Sequence, residues 1–546
     1  MLTLRFGLAG SEGDVFLTTT TVSDPSDPRY GQHLSKEEVE RLVIPTGDAR
    51  HLVREWLLDH GIEEHRCQYS PARDWITVTL PVSAVERLLD TTYSVYEHED
   101  GSRLVRTTSW SLPLSLHEHI TTIQPTTVFL RPKIQGETVL EVPGNFRIPD
   151  ALPENATGIA AVCNFSAVTT TCLRTLYNTV NYVPQVPGKN RIGFTNYLGQ
   201  VDNRSDTAIF LQHFRPDAAE AAYDYLQVSI DGGKIDNGTG GAGIEANLDV
   251  QTILGITYPS SVTSYHTGGE PPFHPDDNTP LNTNEPYLTW VNYVLNQTTL
   301  PQVISTSYGD DEQTVPYSYA LTVCNQFAQL GVRGVSLLFS SGDSGVGAND
   351  SCVTNDGTNT STFLPAFPAS CPYVTAVGGT RSYPEVVAFD PRNGYASGSG
   401  FSNYFARPKY QDKVVKEYIE GLQGEYDGWY NKSGRAYPDI AAQSYQFLII
   451  IAARIRSVDG TSCAAPTASG VISLVNDALL AVGKAPLGWL NPWLYKKGYK
   501  AFTDVTEGSS IGCNVTGFTA RPGWDVASGF GTPDFEALLD VVGLGS

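Results

Sequence analysis

Apolar positions in the first 130 residues follow both helical and strand periods. Strand alternation predicts one strand, Trp75–Leu80. Helical spacing predicts three helices, Ser35–Val43, His51–Leu58 and Val82–Leu89. Ser35 and Glu38 have the spacing of a capping box, which favours a helix start. The mixture predicts a small α+β domain.

Beyond residue 160, short apolar runs alternate with helical segments. Strands are predicted over Asn190–Phe194, Val335–Ser340, Val374–Val377 (ended by Gly378 and Gly379) and Phe447–Ala453 (closed by Arg454), and helices over Ser205–Phe214 and Gly243–Val250. Strands separated by helices predict an α/β fold with a doubly wound parallel sheet. No uninterrupted apolar stretch of about 18 residues occurs, so we expect no membrane-spanning helix.

A proline-rich segment with little periodicity joins the first 130 residues to the region beyond residue 160. Its prolines are Pro132, Pro143, Pro149 and Pro153. Such composition predicts a linker, which is also a suitable place for proteolytic cleavage. We therefore expect a domain over residues 1–130, a linker with a cleavage region over 131–160, and a larger domain over 161–546.

Composition narrows the possible partners. The 546 residues are 41% hydrophobic and 17% charged, so a large core can form, and two or three domains are expected. The net charge of -22 argues against nucleic acid, because phosphate binding requires a basic surface. An acidic surface suits a secreted protein that works in acid, where protonation of carboxylates reduces self-repulsion.

Cysteines and glycosylation acceptors also favour export. None of the eight cysteines forms a CxxC pair, so disulfides are expected rather than a zinc site. Nine Asn-X-Ser/Thr acceptors occur, at Asn155, Asn164, Asn203, Asn237, Asn296, Asn349, Asn359, Asn431 and Asn514. Chance also explains such acceptors in a chain rich in Asn, Ser and Thr. Arg5 interrupts the first apolar residues, which do not form a signal peptide; export would require a leader beyond this sequence.

The segment Asp459–Pro466 contains the best candidate for a reactive atom, the hydroxyl of Ser462. A Gly-Thr turn before an apolar run predicts a serine at a helix N-terminus, where free N–H groups can stabilise an oxyanion. Taken alone, capping by Ser462 or Thr461 is the commoner explanation of this pattern.

Two carboxylate clusters add to this signal. Glu245 and Asp249 are four residues apart in a helical pattern, so they share one helix face. Asp343 follows the strand Val335–Ser340, in the position where loops line the crevice of a parallel sheet. The commoner explanations are solvated surface carboxylates and an aspartate in a glycine-rich turn.

Together the three clusters resemble the sedolisin family, the serine-carboxyl peptidases. The shared pattern is a Glu-x-x-x-Asp helix, a Ser-Gly-Asp loop and a Gly-Thr-Ser turn, in this order. Further segments are similar to the family's fungal tripeptidyl-peptidases: Thr171–Arg174, Phe214–Ala218, Asn282–Tyr287, Phe367–Pro372 and Gly434–Asp439. Ser26–Ser35 resembles the family's propeptide, so the likeness covers almost the whole chain.

The resemblance implies a role for each residue. Ser462 would attack the scissile carbonyl, Glu245 would accept its proton, and Asp249 would hold Glu245 in place. Asp343 would stay protonated and donate to the oxyanion beside the Ser462 N–H. The rival subtilisin-like triad is rejected, because the histidines after residue 150 do not lie in a His-Gly-Thr turn; they are His213, His266 and His274.

The resemblance also implies one cofactor, Ca²⁺. Its side-chain ligands would be Asp504 and Asp525, and its carbonyl ligands would come from Val505, Arg521 and Gly523. Arg521 stands where the family usually has glycine. Without the resemblance, the two aspartates would be read as turn residues.

Two departures affect the predicted activity. Cys463 and Ala464 follow Ser462 where the family has Ala-Ser, and Ser399 interrupts a usual Ser-Gly-Gly-Gly-Phe-Ser run. The disulfides are predicted as Cys163–Cys172, Cys324–Cys371 and Cys352–Cys513, with Cys67 and Cys463 free. Only the first pair is close in sequence; the other two assume facing loops.

The resemblance therefore implies an acid-acting serine-carboxyl peptidase that is secreted as a zymogen and releases tripeptides from free N-termini. A subtilisin-like α/β domain would follow an α+β propeptide. Its partners would be polypeptide substrates and its own propeptide, with no nucleic acid, no membrane and a monomeric state. An endopeptidase of the same family and a catalytically silent secreted binding protein stay open as alternatives.

Overall fold

The computed structural model describes residues 1–10, 12–97, 103–124, 126, 139–140, 158–238, 241–269, 271–280 and 282–545. Most of the predicted linker, residues 131–160, and the acceptor Asn155 lie outside these ranges.

The N-terminal part has an antiparallel sheet covered by helices. Its elements are β1 (Leu2–Leu8), α1 (Glu12–Ser23), α2 (Lys36–Val43), α3 (Gly47–Asp59), β2 (Cys67–Tyr69), β3 (Trp75–Leu80), α4 (Val82–Leu88), β4 (Ser94–Glu97), β5 (Arg103–Arg106) and β6 (Ile120–Gln124). The strand order is β2-β3-β1-β6, and β4 pairs with β5 separately. Phe6 and Trp56 meet edge to face in its buried core. The capping box of Ser35 and Glu38 is confirmed, with both hydrogen bonds present.

The remaining strands belong to one large sheet and several small ones. They are β7 (Val139–Leu140), β8 (Arg191–Asn196), β9 (Leu226–Ile230), β10 (Ser261–Thr267), β11 (Val303–Thr306), β12 (Asp310–Asp311), β13 (Ser336–Ser340), β14 (Ala366–Phe367), β15 (Thr375–Arg381), β16 (Val386–Val387), β17 (Phe389–Asp390), β18 (Tyr395–Ala396), β19 (Gly400–Ala406), β20 (Gly434–Tyr437), β21 (Ile440–Gln443), β22 (Phe447–Ile451), β23 (Arg454–Val458), β24 (Phe502–Thr503) and β25 (Thr532–Pro533).

Helices flank these strands along the chain. They are α5 (Ile159–Val162), α6 (Thr170–Leu176), α7 (Arg204–Phe214), α8 (Ala221–Asp224), α9 (Ile244–Thr257), α10 (Tyr287–Leu295), α11 (Tyr317–Val332), α12 (Asp412–Gly421), α13 (Thr461–Ala481), α14 (Asn491–Lys496) and α15 (Phe535–Val541). Short 3-10 helices cover Glu64–Arg66, Leu114–Leu116, Pro216–Ala218, Glu312–Thr314, Lys409–Gln411 and Gly498–Ala501.

The large sheet has eight strands and confirms the predicted α/β class. Its order is β16-β15-β13-β11-β8-β10-β9, and β21 pairs with β15. All of its pairings are parallel except that of β15 with β16. Large buried side chains, among them Phe194, Phe339 and Trp290, fill the cores against this sheet.

Two predicted strands differ from the observed ones. The run from Val374 does not end at Gly378 and Gly379, because β15 continues to Arg381. A Cβ on Gly379 would lie 2.1 Å from the Tyr395 hydroxyl, so this glycine serves close packing rather than strand termination.

The second difference concerns the apolar run Phe447–Ala453, which was expected to be one buried strand. It ends at Ile451, and a two-residue turn returns the chain into antiparallel β23. Ala452 and Ala453 have φ values of 50° and 58°, as a tight hairpin turn requires. The carboxylate of Asp206 accepts both turn N–H groups at 2.8 Å, which stabilises this conformation without glycine.

The N-terminal part packs directly on the larger part. Helix α1 lies against α11, and the Thr19 hydroxyl donates to the Ala328 carbonyl at 3.4 Å. The imidazole of His33 lies 2.9 Å from the Pro486 carbonyl. A side chain on Gly334 or Gly488 would collide with this ring, so both glycines form its binding recess.

Helices α9 and α13 pack closely, and this contact positions the candidate site. A Cβ on Gly470 of α13 would lie 2.8 Å from the Ile256 side chain of α9, so glycine permits the close approach. Within the described residues, α13 alone is long and apolar enough to cross a membrane, but 94% of its apolar window is buried. It is therefore the central core helix of this domain.

Candidate active site

Ser462 lies in the first turn of α13, as predicted. The N-cap is Gly460, and no side chain caps the helix, so neither Ser462 nor Thr461 has the capping role that is commoner in general. Gly460 has φ of 151°, and a Cβ there would lie 3.0 Å from the carboxylate oxygen Oδ2 of Asp343. Glycine thus brings the turn close to Asp343 and leaves the Ser462 side chain partly exposed.

A proline in α13 explains an unexpected partner of this turn, Ser307. Pro466 has no N–H to donate to the carbonyl of Ser462 four residues earlier. The Ser307 hydroxyl lies 3.3 Å from that carbonyl, and the Ser462 hydroxyl lies 3.4 Å from the Ser307 carbonyl. The loop after β11 is therefore joined to the first turn of α13.

Glu245 and Asp249 share one face at the start of α9. Asp249 is fully buried, and its Oδ1 accepts a hydrogen bond from the Ser307 hydroxyl at 2.7 Å. Burial raises the pKa of Asp249 well above its usual value, and the nearby charge of Asp202 raises it further. Glu245 is half-buried and faces the same cleft as Ser462.

Asp343 follows β13 and contacts the turn before Ser462. Its Oδ1 accepts hydrogen bonds from the Thr461 N–H at 2.7 Å and the Thr461 hydroxyl at 2.8 Å. Burial raises the pKa of Asp343 above the usual value, although the two hydrogen bonds oppose the rise. This carboxyl is thus held in place by one oxygen while the other lies near Gly460.

Asp459, which directly precedes the Gly-Thr-Ser turn, has a structural role. Its Oδ1 accepts from the Gln446 N–H at 2.7 Å, and its Oδ2 accepts from the Asn393 amide at 2.9 Å. The Cys463 thiol is buried, and burial followed by the charges of Asp459 and Glu245 raises its pKa well above the usual value. Cys463 is thus a neutral core residue, and its thiol lies 3.8 Å from the Val458 carbonyl.

One cleft of about 430 Å³ contains the predicted residues Glu245, Asp343 and Ser462. Asp249 does not line the cleft, but it accepts a hydrogen bond from Ser307, which does. Sequence reasoning missed Ser307, although its position after β11, at the carboxyl edge of the sheet, was an available signal. It also did not single out Glu285, Asp310 and Asp311, which extend the cleft wall.

The histidines do not form a triad with Ser462. His266 is buried, and its Nε2 lies 2.6 Å from Asp202 and 2.8 Å from the Ser264 hydroxyl. This group is closed off from the cleft, since neither His266 nor Asp202 lines it. His213 and His274 are exposed and do not line the cleft either.

The predicted calcium residues come together in two adjoining loops. The Gly523 N–H donates to Asp504 at 2.7 Å, and the Arg521 N–H donates to Asp525 at 2.8 Å. Asp525 is fully buried, and the Val505 carbonyl lies near it through the shared partner Ser528. An all-oxygen donor set with a buried carboxylate fits a hard cation. Only two of these five expected ligands are side-chain carboxylates. Within the described residues, no group of three or more His, Cys, Asp or Glu side chains could hold a metal.

All three predicted disulfides are confirmed. Their pairs are Cys163–Cys172, Cys324–Cys371 and Cys352–Cys513. Cys67 and Cys463 are free, also as predicted.

Comparison with known proteins agrees with this geometry. Residues 2–129 match the pro-kumamolisin activation domain, and residues 238–485 match the subtilase family. The chain is 40% identical to tripeptidyl-peptidase SED2 of Arthroderma otae, over 96% of this chain and 89% of that protein. It is 37% identical to tripeptidyl-peptidase sed4 of Aspergillus fumigatus, over 99% and 92% respectively. Pseudomonas sedolisin, a serine-carboxyl proteinase, aligns with a TM-score of 0.50 and 22% identity, over 69% of this chain and 98% of that one.

The parallel sheet and the subtilase match define the class, a serine peptidase with a subtilisin-like fold. The extended similarity to the tripeptidyl-peptidases is more specific. The chain belongs to the sedolisin family, the serine-carboxyl peptidases.

Proposed function

We propose that this chain is an acid-acting tripeptidyl-peptidase that is secreted as a zymogen. The observation that carries the proposal is the meeting of Glu245, Asp343 and Ser462 in one cleft, with no histidine among its lining residues. Carboxyl groups then have to supply both the base and the oxyanion donor. A carboxylate base works near its own pKa, which favours activity in acid.

Ser462 is the proposed nucleophile and Glu245 the general base. The Ser462 Oγ attacks the scissile carbonyl carbon while its proton passes to the Glu245 carboxylate. The C–N bond then breaks, and Glu245 returns the proton to the leaving amine. Water, deprotonated by Glu245, hydrolyses the acyl-enzyme and restores the Ser462 hydroxyl.

Asp343 is the proposed oxyanion donor. The hydrogen bonds from Thr461 to Oδ1 leave Oδ2 able to carry a proton toward the cleft. Its raised pKa favours the neutral form, which donates to the oxyanion instead of repelling it. The backbone N–H of Ser462, in the first turn of α13, is the second proposed donor.

Asp249 is the proposed positioning residue. It lies one helical turn from Glu245, as a shared hydrogen bond requires. Because its pKa is raised by complete burial, a protonated Asp249 can donate to an ionised Glu245. Its contact with Ser307 also connects the dyad to the first turn of α13.

The domain boundaries and export are part of the proposal. Residues 1–130 form the propeptide, 131–160 the linker with its cleavage region, and 161–546 the peptidase. Three disulfides support an oxidising compartment. Six of the predicted acceptor asparagines are exposed and suit glycosylation: Asn164, Asn237, Asn296, Asn349, Asn359 and Asn514.

Ca²⁺ is proposed to bind Asp504 and Asp525, together with the carbonyls of Val505, Arg521 and Gly523. A bound cation would neutralise the carboxylates and join the two loops, without taking part in the reaction. The guanidinium of Arg521 lies over the Tyr418 ring at 5.3 Å, so its charge is directed to an aromatic partner. Arg521 can therefore be a Ca²⁺ ligand through its backbone carbonyl, as a glycine at this position would be.

The experiment is a product analysis at about pH 4, near the ordinary pKa of a carboxylate. Acid-treated protein is incubated with a long peptide that has a free N-terminus, and the products are identified by mass spectrometry. Successive tripeptides from the N-terminus are expected. Internal fragments would favour the endopeptidase alternative, and an uncut peptide would favour the silent binding protein.

A further inference from the structure

Ser307 is the cleft residue that contacts both a dyad carboxyl and the turn of the nucleophile. Its side chain is 5% exposed, and its hydroxyl lies 2.7 Å from Oδ1 of Asp249 and 3.3 Å from the Ser462 carbonyl. A hydroxyl carries one proton, so it donates fully to only one of these two oxygens at a time. The shorter distance is near the commonest value for an O–H···O bond, which makes Asp249 the preferred acceptor.

The second oxygen of Asp249 has a different environment. Asp249 is fully buried, and its Oδ2 receives no hydrogen bond of acceptable geometry from the described residues. Burial of an acceptor without a donor is costly, so this oxygen is the better place for the carboxyl proton. Glu245 lies one helical turn earlier on the same face of α9, so its carboxylate is within reach of that proton. A proton on Oδ1 would instead leave Oδ2 without a donor and leave Ser307 only its longer contact.

The titratable groups packed around α9 are compatible with this placement of the proton. Burial raises the pKa of Asp249, the Ser307 hydrogen bond opposes the rise, and the charge of Asp202, after β8, adds to it. His266 of β10 faces Asp202 at 2.6 Å, and burial keeps the Cys463 thiol of α13 neutral by raising its pKa. Strand β22 is apolar throughout. Other charged side chains on the neighbouring elements have partners elsewhere: Arg174 with the Val180 carbonyl, Arg204 with the Ala222 carbonyl, Asp206 with the Ala452 N–H, Asp343 with the Thr461 N–H and Asp477 with the Tyr182 hydroxyl.

We propose that Ser307 is a positioning residue for the Ser462 reaction: its hydroxyl occupies Oδ1 of Asp249 and so directs the carboxyl proton, on Oδ2, toward Glu245. This inference rests on the proposed peptidase function and accounts for a base that stays ionised in acid. A hydrogen bond from a neutral carboxyl stabilises the Glu245 carboxylate, so Glu245 accepts its own proton only at lower pH. The dyad of Glu245 and Asp249 then holds one proton in the working enzyme, and a second proton inactivates it.

Ser307→Ala removes the donor to Oδ1, so the Asp249 carboxyl can place its proton on either oxygen. The hydrogen bond to Glu245 is then weakened, and the second proton should bind at higher pH. We expect the acid limb of the kcat profile, the decline of kcat at low pH, to move upward by about 0.5–1 pH unit, as loss of one hydrogen bond implies. At the optimum, kcat should decrease about tenfold. KM should stay close to the wild-type value, because the Ser307 hydroxyl is directed to Asp249 and not to the substrate.

The assay measures kcat and KM of acid-treated protein between about pH 3 and about pH 6, on both sides of an ordinary carboxyl pKa. The substrate is a long peptide with a free N-terminus, and its loss is followed by mass spectrometry. Ser307→Thr keeps a hydroxyl and should keep the wild-type acid limb. Ser305→Ala is the matched control, because it removes a buried β11 hydroxyl that has no hydrogen-bond partner among the described residues and does not line the cleft. Its profile should equal that of the wild type.

The shape of the profile separates positioning from a purely structural contact. A folded Ser307→Ala variant with the wild-type acid limb, even if its kcat is lowered equally at every pH, would overturn the proposal, as would an equal displacement in Ser305→Ala. Thermal unfolding reports whether each variant folds; if Ser307→Ala does not, Ser307→Cys, with its weakly donating thiol, should show the same displacement. Internal fragments would reject the tripeptidyl-peptidase alone, because the acid limb can be measured on any cleaved bond. A peptide left uncut by the wild type would overturn both proposals.

Discussion

Replacement of Asp343 by asparagine and by alanine separates its two proposed properties, donation and titration. In Asp343→Asn, the amide oxygen can keep both hydrogen bonds from Thr461, and the NH₂ group occupies the position of Oδ2 as a donor. In Asp343→Ala, the donor is lost. Loss of one oxyanion donor typically lowers kcat by about 10²–10³-fold, or about 2.7–4 kcal/mol.

The pH profile of kcat is the decisive assay for this pair. Ionisation of Asp343 converts a donor into a charge that repels the oxyanion, so wild-type kcat should fall as pH rises through its raised pKa. Asp343→Asn cannot ionise, so its kcat at about pH 4 should stay within about tenfold of wild type while this decline moves to higher pH. An asparagine variant as inactive as Asp343→Ala at pH 4, or one with an unchanged decline, would refute the proposed role.

Three further outcomes are expected. Ser462→Ala and Glu245→Ala should each lower hydrolysis and propeptide removal by orders of magnitude, because nucleophile and base act as one unit; substantial turnover by either variant would remove it from the mechanism. Burial raises the pKa of Glu312 to about 7 and that of Glu285 to about 8, so the native state binds these protons more tightly than the unfolded chain does. Their contribution to stability is present in acid and is lost as pH rises toward 8, so the melting temperature should decrease from pH 5 to pH 8, and an increase would contradict the assignment. Chelator should lower the melting temperature of the wild type at neutral pH and leave that of Asp525→Ala unchanged; equal shifts would exclude Asp525 as a ligand.

The local parts of the site could be predicted from the sequence because short segments encode them. A four-residue spacing places Glu245 and Asp249 on one helix face, and a Gly-Thr-Ser turn before an apolar run places Ser462 at a helix start. The predicted strand Val335–Ser340 also placed Asp343 near the site, because loops after parallel strands meet at one edge of the sheet. These features depend on spacing and on sheet direction alone.

The missed features depend on contacts between remote segments. Ser307 reaches Asp249 and Ser462 only after β11, α9 and α13 have packed together. The turn at Ala452 lacks the glycine that usually signals a hairpin, because Asp206, more than 200 residues earlier, supplies its hydrogen bonds. Glu285 and β12 likewise meet at the cleft only in the folded chain, because about 25 residues separate them in the sequence.

Identification of the reactive side chain tests the central claim most directly. Acid-activated protein is treated at about pH 4 with a tripeptidyl fluorophosphonate, which forms a stable bond with an activated serine, and the labelled peptide is mapped by mass spectrometry. The account predicts one label per chain, on Ser462, with loss of peptidase activity in proportion to labelling and no label in Ser462→Ala. Inactivation with the label on another residue would contradict it, as would full activity after complete labelling of Ser462.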